Sequence, residues 1–167
     1  MIKSTQAASY LLNRYQKQFG ETMDEVKLQK LLYFTQREAI IRTGEPMFDG
    51  EFRAWKYGPV IVDVHDRYTA NELNEKMPQE SIEQWKECFD YIFSEFAPKK
   101  TMNLVSLAHG EKSWTRARIG YGKYDRSDEP IKLSDIYEDA EYRKQRRASL
   151  PLRRAMYSFL QQHSGSK

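Results

Sequence analysis

One cysteine, Cys88, and three histidines, His65, His109 and His163, are all that a chain of 167 residues offers to thiolate or imidazole chemistry. A lone thiol excludes an intrachain disulfide framework and a thiolate zinc cluster, and it suits a reducing compartment. No run approaches the roughly 20 apolar residues that a bilayer-spanning helix requires. The opening MIKSTQAASYLLNRYQ has no continuous apolar signal core, so a cytoplasmic protein is expected. The glycines form neither a phosphate loop nor a dinucleotide turn, and no serine sits in a G-x-S-x-G elbow. Charge of one sign is also scarce: 27 Lys and Arg against 24 Asp and Glu leave a net +3, which permits an acidic partner without requiring one. Neither long internal repeats nor low-complexity segments occur.

What is present describes a globular chain, since 40% hydrophobic residues with 13% aromatics suffice for one core under a heavily charged surface. A single unit over residues 1–167 is expected. Ala8, Leu11, Leu12 and Tyr15 recur at helical spacing and Gly20 follows, predicting a helix over 4–19. Thr22 and Glu25 read as a capping box and Gly44 as a stop, predicting a second helix over 23–43 that packs on the first as a hairpin. After Pro46 the chain turns at Asp49-Gly50 and alternates Phe52, Ala54 and Lys56 with Arg53, Trp55 and Tyr57, an extended element around 47–57. Pro59 fits the first turn of a following helix. Farther on, Ser81 with Gln84 caps a helix that Pro98 ends, Thr101 caps one that stops at Gly110, and SWTRARIG makes another turn. YGKYDRSDEP is a loop by composition. Ser134 caps a helix through DIYEDAEYRKQRR, Pro151 starts one through LRRAMYSFLQQH, and the tail SGSK frays. The class is mainly α with a small extended or β element.

Catalytic or metal chemistry finds little support. In DVHD, residues 63–66, side chains two apart point to different helix faces, so Asp63 and His65 do not share an ion and the segment reads as a solvated face. Cys88 lies within an amphipathic helix, where cysteine behaves as a small apolar residue and not as a partner for His65 or His109. Carboxylates are scattered among charges that pair locally, as Asp139 with Arg143. The expectation is a binding protein and not an enzyme, with no metal and no cofactor.

Binding residues are easier to name. Lys27, Lys30, Phe34 and Arg37 follow at three- and four-residue steps, opposite Leu28, Leu31, Leu32 and Ala39. Exposed, they would offer aromatic area and positive steering to a carboxylate-bearing partner; the alternative tucks Phe34 into the core. A second set is Arg53, Lys56 and Tyr57, expected to be accessible beside a buried anchor, Trp55. The third is RKQRRASLPLRR, in which Arg143, Lys144, Arg146, Arg147, Arg153 and Arg154 either hold phosphates or cap their own helix and pair with DIYEDAE.

The stretch VKLQKLLYFTQREAIIRTGEPMFDGEFRAWKYGPVIVDVH resembles the signature of the Panacea domain, the family of SocA-like antitoxins that includes phage-associated GepA-type proteins. LVSLAHGEKSWTRAR, with His109 and Trp114 five residues apart, and PIKLSDIYEDAE resemble its later blocks. The resemblance covers about residues 5–141 and leaves a basic helical extension over 142–167. It implies a bacterial or phage protein, encoded beside a toxin and neutralising that cognate protein toxin by direct binding, in a mostly helical fold without catalytic machinery. It also implies that Trp55, Tyr57, Gly58 and Pro59 form a structural joint against the 27–42 helix. Relatives often carry an N-terminal DNA-binding domain, for which there is no room before Ser4. Two other roles stay open: nucleic-acid binding through the basic block, and delivery of a toxin to a Clp-type protease. A homodimer and a toxin–antitoxin hetero-oligomer are both compatible with these signals.

Overall fold

The computed structural model describes residues 1–164, so the last part of the SGSK tail lies outside the described residues. In chain order the elements are α1 Ser4–Phe19, α2 Glu25–Thr43, β1 Phe52–Trp55, β2 Gly58–Ile61, α3 Val62–Thr69, α4 Gln79–Gln84, α5 Lys86–Glu95, α6 Thr101–His109, α7 Lys112–Ala117 and α8 Leu133–His163. The protein is mainly α with one two-stranded antiparallel sheet, as its sequence leads one to expect.

Helix α1 begins and ends where its periodicity and Gly20 place it; Gly20 takes φ +72° and its amide bonds Gln16 O. Helix α2 differs at its start. Asp24, not Thr22, is the cap, accepting from the Lys27 amide at 2.8 Å, because only Asp24 directly precedes the first helical residue. Thr101 likewise does not cap α6; that position belongs to Lys100, and the Thr101 hydroxyl donates to Asp24 at 2.6 Å.

Helix α2 is the axis of the molecule. Helices α1, α5, α6 and α8 and strand β2 all pack on it, so from Lys27 to Ile40 it has no solvent face. This corrects the exposed stripe: Lys27, Lys30, Phe34 and Arg37 are 6, 0, 1 and 3% exposed. Each has a partner from another element. Lys27 Nζ donates to Tyr15 Oη at 3.1 Å, Lys30 Nζ to Pro59 O at 2.7 Å, Phe34 stacks on Phe96 at 4.5 Å, and Arg37 pairs with Glu111. Buried polar groups persist when partnered, as both ammonium groups and Arg37 Nη1 are, while Arg37 Nε is buried without a hydrogen-bond partner.

The β-hairpin pairs Phe52 with Ile61 and Trp55 with Gly58 around a Lys56-Tyr57 turn. Pro59 therefore lies in β2 and does not start a helix; α3 begins at Val62. Its register explains why a strand accepts it. The Ala54 amide bonds Glu129 O and the Ala54 carbonyl takes Arg118, so the Ala54–Pro59 pair exchanges no ladder bonds and the missing N–H costs none.

Two further boundaries move. The helix expected over 81–96 is split at Trp85, whose φ of −100° breaks the turn while its indole enters the core, and Pro78, not Ser81, precedes α4. The two helices expected around Ser134 and Pro151 are one, α8, with Ser134 inside its first turn and Pro151 internal. Asp139 does not pair with Arg143. It accepts from the Lys112 and Ser113 amides at 3.0 and 2.9 Å and from Tyr33 Oη at 3.0 Å, closing the start of α7 against α2 and α8.

Candidate partner-binding face

The hairpin turn is held by its carbonyls. Arg118 Nη1 donates to Ala54 O at 2.9 Å, Trp114 Nε1 to Trp55 O at 2.9 Å, and Lys30 Nζ to Pro59 O at 2.7 Å. His109 Nε2 lies 3.0 Å from Lys56 O, and since a carbonyl only accepts, this nitrogen carries the proton. The His109 ring stacks on Trp114 at 4.1 Å, and burial lowers its pKa, which favours the neutral imidazole. Gln29 completes the clamp by bonding both Ile61 O and Ile61 N, imitating a strand neighbour. Gly58 has φ +106°, and a Cβ there would meet Lys30 Cε at 2.9 Å, so the position needs glycine on both counts. His109, Trp114, Gly58 and Pro59 are thus structural parts of one joint.

Lys30 pays electrostatically for this role. Burial holds its ammonium far below the ordinary lysine range, at about 7, with the Glu25 carboxylate opposing the shift. Between about 7 and the ordinary 10.5 the unfolded chain binds a proton at Lys30 that the folded chain releases, so Lys30 makes stability rise with pH through that window and its penalty is complete below it. Measured by urea denaturation, wild type should gain on the order of 2 kcal/mol relative to Lys30→Met between pH 7 and 9. A pH-independent difference between the two would show the ammonium stays charged in the fold.

The clamped turn forms one wall of an open cleft of about 910 Å³. Its other walls are the start of α2, at Glu25, Val26 and Gln29, and the loop bearing Tyr121, Arg126 and Asp128. Trp55 is half-buried in this wall and is not the deep anchor expected of it. Its Nε1 donates to Asp128 Oδ1 at 2.9 Å and its ring meets His65 edge-on at 5.0 Å. The buried tryptophan of the joint is Trp114, 6% exposed. His65 bonds Glu25 at 2.7 Å, whereas Asp63 pairs with Arg67.

Around the mouth stand Tyr57, Tyr121 and Tyr124, 50, 40 and 73% exposed. Lys56 Nζ lies 5.3 Å from the Tyr57 ring and 5.8 Å from the Tyr124 ring, and so joins the hairpin to the loop. Arg118 Nη2 bonds Gly122 O and Asp125 O, and Gly122 N bonds Asp125 Oδ2, which orders the loop. Of the expected binding residues, Arg53, Lys56 and Tyr57 come together here, Arg53 being tied to Glu51 and Asp128 O. Tyr121, Tyr124 and Arg126 were missed because YGKYDRSDEP reads only as a loop. Its alternation of tyrosine with cations was the available signal.

Elsewhere, Arg143 reaches Glu111 at 3.3 Å, and Arg147 grips Glu38 at 2.8 Å and Tyr91 Oη at 2.8 Å, so two cations of the basic block are engaged within the fold. Cys88 is buried 3.7 Å from Thr35 O, and burial pushes its thiol up to about 12, leaving it unreactive near neutrality. Among the described residues no three His, Cys, Asp or Glu side chains are grouped to hold a metal ion, and no helix is long and apolar enough to cross a membrane.

These features define a helical domain in which side chains from α2, α6 and α7 immobilise a short β-hairpin beside an aromatic cleft. The family described as "Antitoxin SocA-like, Panacea domain" matches residues 28–115, a span that contains Lys30, the hairpin, His109 and Trp114, and the chain belongs to that family. It is 41% identical over 49 residues to the antitoxin SocA of Caulobacter vibrioides (strain NA1000 / CB15N), a stretch covering 29% of this chain and 26% of that protein. The aligned part is thus about a quarter of the curated relative. No solved structure matches.

Proposed function

We propose that this protein is an antitoxin that neutralises a cognate protein toxin by direct binding at the cleft mouth, without a reaction of its own. The observation that carries the proposal is the cluster of exposed tyrosines, Tyr57, Tyr121 and Tyr124, around Lys56 on a turn whose backbone is already fixed. Aromatic anchors on an immobile frame bind with little ordering cost, and they recur at the centres of protein interfaces. Arg53, Lys56 and Arg126 add positive charge suited to a carboxylate-bearing surface. Lys27, Lys30, Phe34 and Arg37 serve the frame from within. Family membership and the name of the curated relative support the antitoxin role.

The test is rescue of growth when the toxin encoded beside this gene is expressed with the variant Tyr57→Ala/Tyr124→Ala. Each truncation at an interface centre costs about 2 kcal/mol, so rescue should fail while circular dichroism stays native. Full rescue by the folded variant would remove the cleft mouth from the interface.

A further inference from the structure

The second half of α8 takes no part in the cleft. Helix α8 runs parallel to α2: Asp139 meets Tyr33, Arg143 and Arg37 share Glu111, and Arg147 meets Glu38. Beyond Arg147 the helix continues for 16 residues to His163, about 24 Å of helix at the ordinary rise. Every described residue from 150 onward is exposed. Pro151 sits where the helix leaves the domain, and its ring removes the amide that would have bonded Arg147 O.

This free segment is patterned. Leu152, Met156, Phe159 and Leu160, 65, 57, 59 and 62% exposed, recur at helical spacing on one side. Arg154 lies opposite the stripe, and Arg153 and Arg146 flank it on the side of Leu160. No acidic residue occurs after Glu141, whereas Lys or Arg stands at 143, 144, 146, 147, 153, 154 and 167. Apolar stripe and uniform charge together specify an occupant.

We propose that the free half of α8 is a docking helix that lays Leu152, Met156, Phe159 and Leu160 into an apolar groove rimmed by carboxylates on a partner protein. On the antitoxin reading, on which this inference rests, that partner is the toxin. A second copy of the chain is disfavoured by charge, since adjoining free helices would set Arg153 and Arg154 against their own kind. A flat lipid surface suits a helix with one clean apolar face, but Leu150 and Tyr157 lie among the arginines, so this helix favours enclosure from more than one side. Nucleic acid would engage the arginines and leave the stripe in water. A helix of this length without tertiary support is marginal in water, so binding would also order it.

The test titrates the purified full-length chain against the purified toxin, against vesicles of phosphatidylcholine with phosphatidylglycerol, and against duplex DNA. Two variants alter the helix, Leu152→Glu/Phe159→Glu and Arg153→Glu/Arg154→Glu, and Tyr57→Ala/Tyr124→Ala alters the cleft. Each helix variant should weaken toxin binding about tenfold or more at an unchanged melting temperature, because the altered side chains are exposed. Toxin binding that is wild-type in both helix variants and lost in the cleft variant overturns the docking helix and leaves the antitoxin reading intact. Absence of toxin binding by the unaltered chain overturns both. Vesicle or DNA binding that only the helix variants lose, with toxin binding retained, assigns the segment to lipid or nucleic acid and overturns the proposal.

Discussion

Replacing Arg37 with alanine is expected to destabilise the protein by about 3 to 5 kcal/mol, the usual cost of removing one member of a buried ion pair. Arg37 and Glu111 are each 3% exposed, and the guanidinium also lies over the Phe34 and Phe96 rings at 4.9 and 5.9 Å. Without it Glu111 keeps only Arg143, which is half-buried and 3.3 Å away. Burial already raises the Glu111 pKa and Arg37 is the largest opposing influence, so its loss raises that pKa further. A carboxyl with a raised folded pKa binds more protons in the native state than in the unfolded one, and stability then falls as pH rises through the carboxylate range. The deficit of Arg37→Ala should therefore be largest near neutrality and shrink in acid, as followed by urea denaturation across pH. The double variant Arg37→Met/Glu111→Leu, which removes both charges and keeps volume, should recover most of the loss. A wild-type denaturation midpoint for Arg37→Ala would mean that the pair is solvated, and it would return Arg37 to the list of accessible contacts.

The second large effect belongs to Trp114. Truncation to alanine should cost about 3 to 5 kcal/mol as a buried aromatic, lowering the melting temperature by roughly 10 °C. Beyond the cavity, Trp55 O loses its donor and His109 loses the ring on which it stacks. Trp55→Ala removes a half-exposed ring and one bond to Asp128, and about 1 to 2 kcal/mol is the expected cost. Thermal melts of the two variants decide which tryptophan anchors the joint. The reverse order would sink the assignment.

Several features of this fold were legible because their causes are local. Helix α1 needs only apolar residues at helical spacing and a Gly20 free to turn left-handed, both within one stretch of chain. The stop of α2 at Gly44 has the same origin, and the hairpin lies next to the alternation of large residues that announces it. The likeness to the antitoxin family was equally legible, and the matched span contains Lys30, the hairpin, His109 and Trp114.

Tertiary structure alone decided which faces are inside. A helix carrying Gln29, Lys30, Gln36, Arg37 and Glu38 reads as having a polar side, yet all five are buried. Their partners lie at Ile61, Pro59, Phe48, Glu111 and Arg147, distant in sequence, and no local signal marks a polar group that will be satisfied from afar. Pro59 shows the same limit, because a first helical turn and a non-bonded strand position both accept its fixed φ, and only pairing with Ala54 selects the strand. Local sequence thus determined a mainly helical chain and where most of its elements lie. Whether Lys30 and Arg37 meet a partner or are buried within the fold was decided by packing, because burying a charge depends on groups that only the folded chain brings within reach.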